Sequence, residues 1–419
     1  MFKKVAIVGL GYVGLPLALA FGKKIQTVGF DINSLRTEQL KNSLDRTGEC
    51  SLEDFNLSTL CSFTSEIEEI SDADIFIITV PTPINQNKSP NLEPLMSASE
   101  LVATVLSKGD YVVFESTVYP GATRELCVPI IETVSELLLN KDFFVGYSPE
   151  RINPGLGAQK LEDIVKVTSG STLEAAEKID TLYAKIIDAG TYLAPSIEVA
   201  EAAKVIENTQ RDVNIGLVNE FSIIFEKLGL ETRDVLKAAG TKWNFLNFEP
   251  GLVGGHCIGV DPYYLSYKAE LEGYRPELVL AGRRINESMA KLSVDRLVKQ
   301  ILQKNIDIKN AQVLLVGMTF KEDCRDLRNS KSFDLVNELN SFGINVDCYD
   351  PLVNLDELNP EIIINKVVPK KKYDAIIFAV RHEKIIKDAK SIIANNLKKI
   401  GIVMDLKSVL DTNESDLRL

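Results

Sequence analysis

The sequence has few of the residues that build disulfide frameworks and metal sites. Its six cysteines lie far apart, at positions 50, 61, 127, 257, 324 and 348, and no two of them form a Cys-x-x-Cys pair. This spacing argues against a disulfide-stapled secreted protein and favours reduced thiols in a cytoplasmic enzyme. Only two histidines are present, His256 and His382, and no cluster of candidate ligands surrounds either one. We therefore expect no metal site.

Positive charge is also scarce. The chain carries 47 lysines and arginines against 59 aspartates and glutamates, for a formal net charge of -12. This balance argues against nucleic acid or an anionic membrane as the main partner. An acidic protein can still bind phosphates where a local pocket supplies donors.

One uncharged, largely apolar stretch, Val5 to Gly22, follows two lysines and imitates a signal peptide or a short membrane span. Three glycines and Pro16 interrupt the stretch, and no small-residue cleavage pattern follows it cleanly. We interpret it as a buried strand that turns into a buried helix.

At 419 residues the chain is too long for one ordinary core. Its first third alternates short apolar runs with helical patterns, which is typical of strands buried on both faces of a parallel, doubly wound sheet. The predicted strands of this part are Lys4–Val8, Thr27–Phe30, Ile75–Val80, Val112–Glu115 and Phe143–Tyr147.

The middle of the chain is mainly helical, with one long helix predicted from Ile197 to about Leu228 and another from about Pro276 to Lys304. The last third returns to strand and helix alternation. We predict an α/β protein with two Rossmann-like doubly wound domains joined by a helical middle domain. The expected boundaries are 1–196 for the first domain, 197–305 for the helical domain and 306–419 for the last.

A glycine-rich turn follows the first predicted strand. Residues 9–14 read Gly-Leu-Gly-Tyr-Val-Gly, a G-x-G-x-x-G pattern at a strand-to-helix junction. The first glycine permits a tight turn, the second lets the backbone approach a pyrophosphate, and the third allows the helix to pack closely on the strand. The helix N-terminus then offers free N–H groups to the phosphates. This pattern predicts a dinucleotide site.

Asp31 closes the second predicted strand about twenty residues further on, where a ribose-binding carboxylate is expected. A carboxylate there accepts hydrogen bonds from ribose hydroxyls and repels a 2′-phosphate. No arginine follows at once, since Arg36 is five residues away. The sequence therefore predicts NAD rather than NADP.

The densest candidate for chemistry is residues 251–265, Gly-Leu-Val-Gly-Gly-His-Cys-Ile-Gly-Val-Asp-Pro-Tyr-Tyr-Leu. Glycines around Cys257 let a substrate come close to the sulfur, and Asp261 is near enough to orient a water or a base. A dyad of Cys257 with the adjacent His256 is an alternative, but neighbouring side chains usually point in different directions.

A second cluster lies on the long helix. Lys204 and Asn208 are four residues apart and share a helical face, so an ammonium and an amide there could stabilise an oxyanion or a thiolate. An exposed charged stripe is the alternative interpretation. Thr117 and Glu150 each follow a predicted strand, at the sheet edge where ligands of such folds bind.

Together these motifs resemble the UDP-glucose/GDP-mannose dehydrogenase family over essentially the whole chain. The resemblance includes the glycine-rich N-terminus, the helix segment 201–208 and the Gly-Gly-x-Cys-x-x-x-Asp core. Its remaining motifs are Glu115-Ser116-Thr117, Ser148-Pro149-Glu150-Arg151 and Phe320-Lys321-Glu322-Asp323 with Arg328.

The resemblance implies a four-electron oxidation of a sugar C6 alcohol with two NAD+. Cys257 would trap the aldehyde as a thiohemiacetal, and a second oxidation would give a thioester that water hydrolyses. Lys204 and Asn208 would steady the oxyanion. Asp261 and Thr117 would position water or relay protons, and Glu150 would assist thioester hydrolysis.

The resemblance also divides the binding residues into two sets. The predicted NAD contacts are Gly9, Gly11, Tyr12, Val13, Gly14, Asp31, Arg36, Thr82, Ser116, Thr117 and Arg328. The predicted UDP-sugar contacts are Glu150, Arg151, Lys204, Asn208, Lys242, Tyr263 and Lys321. The last domain has Gly317 after its first strand but no G-x-G-x-x-G, which fits a nucleotide half-site better than a second NAD site.

The Gly-Gly-His-Cys-Ile-Gly-Val-Asp core and the Tyr263-Tyr264 pair resemble the branch of the family that handles UDP-N-acetylhexosamines, with UDP-GlcNAc or UDP-GalNAc favoured over UDP-ManNAc or UDP-glucose. In related enzymes the residue at Lys242 reaches the neighbouring subunit's sugar site, so a homodimer is expected. The usual role of such enzymes is the synthesis of surface-polysaccharide precursors.

Two other functions stay open at this point. A two-electron β-hydroxyacid dehydrogenase also joins a Rossmann domain to a helix that bears Lys and Asn four apart, but it lacks a cysteine nucleophile and a third α/β domain. A catalytically silent NAD or UDP-sugar binding protein is the other. Intact Cys257, Lys204, Asn208 and Asp261 argue against that reading.

Overall fold

A computed structural model describes residues 2–152, 160–255, 258–353 and 363–419. The chain divides into two compact units, the first formed by residues 1–207 and 263–275 and the second by residues 208–262 and 276–419. Cys257 and His256 lie outside the described residues.

The first unit is built on a six-stranded parallel sheet. Its spatial strand order is β3-β2-β1-β4-β5-β6, so the chain reverses its direction of travel across the sheet between β1 and β4. Ligands of doubly wound sheets bind beyond the carboxyl ends of the strands at such a reversal. In chain order the strands are Lys4–Val8 (β1), Gln26–Phe30 (β2), Cys61–Thr64 (β3), Ile75–Ile78 (β4), Tyr111–Phe114 (β5) and Phe144–Tyr147 (β6).

A two-stranded parallel sheet, Lys166–Thr168 (β7) with Thr191–Leu193 (β8), extends this unit. The central strands are apolar and fully buried, because helices cover both faces of the large sheet. The helices that begin and end within the unit are Gly14–Gly22 (α1), Ser34–Lys41 (α2), Leu52–Leu57 (α3), Glu93–Ala103 (α4), Val128–Ser135 (α5) and Leu173–Tyr183 (α6).

The middle of the chain forms four helices, Ile197–Leu228 (α7), Thr232–Ala239 (α8), Asp261–Leu271 (α9) and Glu277–Gln303 (α10). Helix α7 is 32 residues long and contains no proline. Its one glycine, Gly216, faces Gly282 of α10, and a Cβ atom at 216 would lie 3.0 Å from the Gly282 Cα atom. The small residue therefore lets two helix backbones approach closely.

The second unit carries another six-stranded parallel sheet with the order β11-β10-β9-β12-β13-β14, the same pattern as in the first unit. Helices Lys331–Ser341 (α11) and Glu383–Asn396 (α12) pack on it. Its strands are Gln312–Val316 (β9), Asn345–Tyr349 (β10), Ile364–Asn365 (β11), Tyr373–Phe378 (β12), Leu397–Asp405 (β13) and Leu417–Arg418 (β14).

The two sheets repeat one another in detail after their first strands. Gly9 and Gly317 both have positive φ, 96° and 94°, and each donates its N–H over 2.8 Å to the last residue of the neighbouring strand, Phe30 or Tyr349. Each sheet therefore turns in the same way where a nucleotide phosphate is expected.

The predicted fold class is confirmed: along the chain, one Rossmann-like sheet precedes the helical middle and another follows it. The strand prediction Ile75–Val80 was two residues too long, because Thr79 and Val80 leave the sheet and lie against Gly9. Strands β3, β7, β8, β11 and β14 were not predicted. The expected boundaries at 196 and 305 remain a prediction. No helix in the described ranges is both long and apolar enough to cross a membrane.

Candidate active site

The glycine-rich turn has the geometry that a bound dinucleotide needs. A Cβ atom on Gly14 would lie 1.8 Å from the carbonyl oxygen of Gly9, so only glycine lets α1 pack this closely on the turn. A Cβ atom on Gly11 would enter open space. The turn therefore leaves room for a pyrophosphate beside the backbone of Gly11, between the partly exposed Tyr12 and Val13 and the N-terminus of α1.

Asp31 is half-buried at the end of β2. One of its carboxylate oxygens accepts the Leu10 N–H and the other accepts the Asn33 N–H, both at 2.9 Å. These bonds fix the carboxylate next to the turn while it stays partly open to solvent. The carboxylate is therefore placed to accept hydrogen bonds from the adenosine ribose of NAD, and its role there stays a prediction.

The Arg36 side chain binds the backbone of the glycine-rich turn. Its side chain is buried, its Nε atom donates to the Leu10 carbonyl oxygen over 3.0 Å, and its guanidinium forms an ion pair of 2.9 Å with Asp45. These contacts hold the turn at Leu10. Because the Arg36 side chain is buried, they favour a role in shaping the turn over the predicted direct contact with NAD.

The other predicted cofactor residues of this unit lie along the same sheet edge. The Ser116 hydroxyl is buried and donates to the Val80 carbonyl oxygen over 2.6 Å, and Thr117 follows it, partly exposed. The Thr82 carbonyl oxygen accepts the hydroxyl of Tyr264 over 2.9 Å. These bonds order the segments after β4 and β5.

Lys204 and Glu150 meet directly. The Lys204 ammonium is buried and donates to the backbone carbonyl of Glu150 over 2.5 Å. Glu150 is buried in the turn after β6, where its carboxylate accepts the N–H groups of Arg151 and Ile152. Arg151 in turn forms an ion pair of 2.7 Å with Glu207 on α7. The turn and the helix are therefore held together at Lys204 and again at Glu207.

Glu201, one turn before Lys204, has a supporting role. Its carboxylate accepts the N–H groups of Gly121 over 2.6 Å and of Thr123 over 3.0 Å. Burial raises the pKa of Glu201 to about 7. The residue holds the loop that follows Thr117.

Two more residues of the predicted catalytic set, Asn208 and Asp261, form a pair within the second unit. The Asn208 side-chain amide donates to the Asp261 carboxylate over 2.6 Å, and both side chains are buried. Asn208 stands four residues after Lys204 in the unbroken helix α7. The amide thereby orients the carboxylate at the start of α9.

The segment before Cys257 is held at both ends. The Asn219 side chain makes two hydrogen bonds with the backbone of Gly251, of 2.8 and 3.0 Å. Gly255 has a φ of 84° and donates its N–H to the Asn329 carbonyl oxygen over 3.1 Å. The predicted nucleophile Cys257 and its alternative partner His256 lie outside the described residues.

Two other predicted substrate residues of the second unit, Lys242 and Lys321, are more accessible than Asn208. Lys242 is exposed beside Trp243, whose side chain is 92% exposed. Lys321 is half-buried and lines a cleft with Gly254 and Lys407.

Two more predicted contacts have polar partners. The Arg328 guanidinium pairs with the Asp326 carboxylate over 2.8 Å. In the first unit, Tyr263 has the ammonium of Lys88 5.7 Å from its ring centre.

Lys407 was not predicted. It lines both the Lys321 cleft and a neighbouring cavity of about 210 Å³ that is also lined by Arg233 and Lys237. Clustered cations suit a diphosphate. Lys407 follows the carboxyl end of β13, so the rule that singled out Thr117 would also have found it. Lys166, a buried cation beside Glu150, was missed as well.

No group of three or more histidine, cysteine, aspartate or glutamate side chains within the described residues is arranged to hold a metal ion.

Comparisons with known proteins match this architecture over nearly the whole chain. Residues 3–187, 198–288 and 314–412 match, in order, the NAD binding, central and UDP binding domains of the UDP-glucose/GDP-mannose dehydrogenase family. The chain belongs to that family. It is an NAD-dependent nucleotide-sugar dehydrogenase, and its last matched domain is the one that binds UDP.

Relatives within the family differ in how similar they are to this chain. It is 54% identical to UDP-N-acetyl-D-glucosamine 6-dehydrogenase of Pseudomonas aeruginosa, covering 99% of each chain. The enzyme of the same name from Salmonella typhi is 53% identical, over 99% of this chain and 98% of that one. A solved structure of UDP-D-ManNAc dehydrogenase from Pyrococcus horikoshii is 29% identical, with a TM-score of 0.88 over 99% of this chain and 98% of that one.

Proposed function

We propose that this enzyme oxidises the C6 hydroxyl of UDP-N-acetylglucosamine to the carboxylate, with two NAD+ and one water consumed for each sugar. The observation that carries the proposal is the identity of 53–54%, end to end, with two enzymes named for that substrate. The structural relative named for the mannosamine epimer shares only 29%.

NAD+, when bound, accepts a hydride from the substrate carbon in each of the two oxidations. The chain supplies the covalent step: the Cys257 thiolate adds to the aldehyde carbon, and the resulting thiohemiacetal is oxidised to a thioester. Water then forms a bond to the acyl carbon, the carbon–sulfur bond breaks, and the carboxylate is released.

The described residues have roles that fit this sequence of steps. Lys204 supplies a buried positive charge and Asn208 an amide N–H, both suited to stabilise oxygen anions in a low-dielectric site. The Asp261 carboxylate, oriented by Asn208, is suited to relay a proton. Glu150, fixed in its turn by two backbone N–H groups, is suited to take the proton of the attacking water.

Substrate choice is tested by measuring NADH formation with UDP-Glc, UDP-GlcNAc, UDP-GalNAc and UDP-ManNAc side by side. We expect the highest kcat/KM with UDP-GlcNAc and two NADH for each sugar consumed. A higher kcat/KM with another sugar would reassign the substrate. One NADH per substrate would favour two-electron β-hydroxyacid chemistry, and binding of UDP-sugar with no NAD reduction would favour a silent binding protein.

The covalent mechanism is tested separately with Cys257→Ala. We expect this variant to form no acid while its affinity for NAD stays within about twofold of the wild type, because the thiol is not part of the predicted dinucleotide site. Normal acid production by Cys257→Ala would remove the covalent mechanism and leave the substrate assignment intact.

We also propose that the enzyme works as a homodimer in which Lys242 serves the neighbouring subunit. The exposure of Lys242 and Trp243 supports a role outside their own fold. Mixing Lys242→Ala with Lys204→Ala subunits tests this directly. Each mixed dimer should regain one active site if Lys242 acts across the interface, and none if it acts within its own subunit.

A further inference from the structure

A buried ionic cluster lies behind Glu150 in the first unit. Lys166 on β7 forms an ion pair of 2.6 Å with Glu115, at the end of β5, and lies 3.6 Å from the nearer carboxylate oxygen of Glu150. The three side chains are 3%, 0% and 9% exposed. A lysine between two carboxylates in a protein interior is uncommon, because each buried charge loses its hydration.

The two carboxylates differ in how many of their oxygens have hydrogen-bond partners. Glu115 accepts hydrogen bonds from both Lys166 and the Tyr183 hydroxyl. The Glu150 oxygen that faces Lys166 has no hydrogen-bond partner in the described part of the chain. Its other oxygen accepts the Arg151 and Ile152 N–H groups. The ammonium of Lys166 is therefore the charge that compensates this side of Glu150.

The pKa shifts in the cluster reflect one cation that lies between two carboxylates. Burial raises the pKa of Glu115. Burial lowers the pKa of Lys166, but the Glu115 and Glu150 carboxylates outweigh that effect and raise it overall. Lys166 thus stays charged at neutral pH, while Glu115 and Glu150 compete for its attraction.

We propose that Lys166 is a positioning residue that compensates the charge of the Glu150 carboxylate and holds it in one orientation for thioester hydrolysis. The proposal rests on the proposed function, in which Glu150 takes a proton from the attacking water. In that step a water O–H bond breaks, its proton passes to a Glu150 oxygen, and the water oxygen bonds to the acyl carbon. Lys166 stabilises the carboxylate before the transfer and itself neither gains nor loses a proton.

The same contacts link this cluster to the oxyanion residue. The Glu150 carbonyl oxygen accepts the Lys204 ammonium, so the turn that carries Glu150 positions two proposed functional groups. A purely structural ion pair between Lys166 and Glu115 would need neither the proximity of Glu150 nor its unbonded oxygen. The two roles therefore make different predictions when Lys166 and Glu115 are changed one at a time.

The experiment uses two substitutions with opposite expected effects on the pH profile of kcat. Lys166→Met removes the cation and should move the acidic limb up by one pH unit or more, with kcat at pH 7 reduced at least tenfold. Glu115→Gln removes the competing carboxylate and leaves Lys166 to Glu150, so the acidic limb should move to lower pH. Lys166→Arg should restore most of kcat, and Lys178→Met, an exposed lysine on α6, is the matched control.

A pre-steady-state measurement separates hydrolysis from oxidation. Lys166→Met should still give a burst of two NADH per active site, followed by slow turnover, because only release of the thioester is impaired. An unshifted acidic limb, or shifts in the same direction for Lys166→Met and Glu115→Gln, would overturn the proposal. If Lys166→Met does not fold, the Glu115→Gln and Lys166→Arg profiles decide by the same criterion.

Failure of the proposed function would be visible in the wild type alone, as the absence of two NADH per sugar.

Discussion

The Lys204 ammonium donates a hydrogen bond of 2.5 Å to the backbone carbonyl of Glu150, a residue 54 positions away in the chain. The two residues come from different kinds of element, a long helix and a turn after a parallel strand. Their contact brings a cation and a carboxylate into one local arrangement. It also means that a change at Lys204 affects both charge and geometry.

Replacing Lys204 with methionine should therefore reduce turnover more than substrate affinity. The variant loses a buried positive charge and leaves the Glu150 carbonyl without its donor. Loss of one donor of this kind typically costs about 10²- to 10³-fold in kcat, and we expect a change of that size with a change in KM of less than about fivefold. Initial rates of NADH formation measure both. Lys227→Met, at an exposed position of the same helix, is the control and should behave like the wild type. An unchanged kcat in Lys204→Met would show that Lys204 has no catalytic role.

Two glycine substitutions separate folding from cofactor binding. Gly14→Ala would place a Cβ atom 1.8 Å from the Gly9 carbonyl oxygen, so the helix has to move and we expect a lower Tm and weak NAD binding. The Cβ atom of Gly11→Ala would lie more than 4 Å from the other packed atoms of the described residues. Its Tm should stay within about 1 °C of the wild type while the Kd for NAD rises roughly tenfold or more. Thermal unfolding and titration with NAD measure the pair, and tight NAD binding by Gly11→Ala would contradict the proposed location of the pyrophosphate.

The raised pKa of Glu201 predicts a pH-dependent contribution to stability. The pKa is about 7 in the folded protein against an ordinary value of 4.5, so between these two values the folded state retains a proton that the unfolded state has lost. Stability from this group is fully present below about pH 4.5 and falls as the pH rises to about 7, by roughly 3 kcal/mol. The Tm of the wild type minus that of Glu201→Gln should therefore decrease from pH 5 to pH 8. A constant difference would show that Glu201 is ionised throughout.

His382 should be needed for UDP-sugar binding although it lies in the interior. Its Nδ1 atom accepts the Asp323 N–H over 2.9 Å, and its Nε2 atom lies 3.1 Å from the Asp350 carboxylate. The ring thus fixes the turn that carries Lys321. His382→Phe should raise the Kd for UDP roughly tenfold, the effect of losing about one buried hydrogen bond, with little change in the Kd for NAD. Equal losses for both ligands would indicate general destabilisation instead.

The parts of the molecule that were predicted correctly are those with a local signal. Apolar runs predicted the central strands, and the absence of proline predicted helix α7 from Ile197 to Leu228. Strand β3, residues Cys61–Thr64, was missed because it lies at the sheet edge and only half of it is buried. Pattern reasoning identifies buried strands more readily than edge strands.

The site was predicted as a set of residues but not as a set of contacts. The spacing of Lys204 and Asn208 indicated a shared helical face. No local sequence pattern indicated that Lys204 bonds to the Glu150 carbonyl and Asn208 to Asp261. Lys166 had no motif to mark it. Its significance comes from pairing with Glu115, 51 residues earlier in the chain, and only the sheet topology brings these residues together.

The duplicated turn after β1 and β9 has a consequence for cofactor engineering. Asp31 and Asp350 accept an N–H from the residue after the turn glycine in the same way, at 2.9 Å from Leu10 and 2.7 Å from Met318. Asp31 remains partly open to solvent, whereas Asp350 is sealed, with 0% exposure. Substitutions intended to make the enzyme accept NADP can therefore act at Asp31 alone. The same change at Asp350 would remove a buried hydrogen-bond acceptor from the second sheet without altering which cofactor is used.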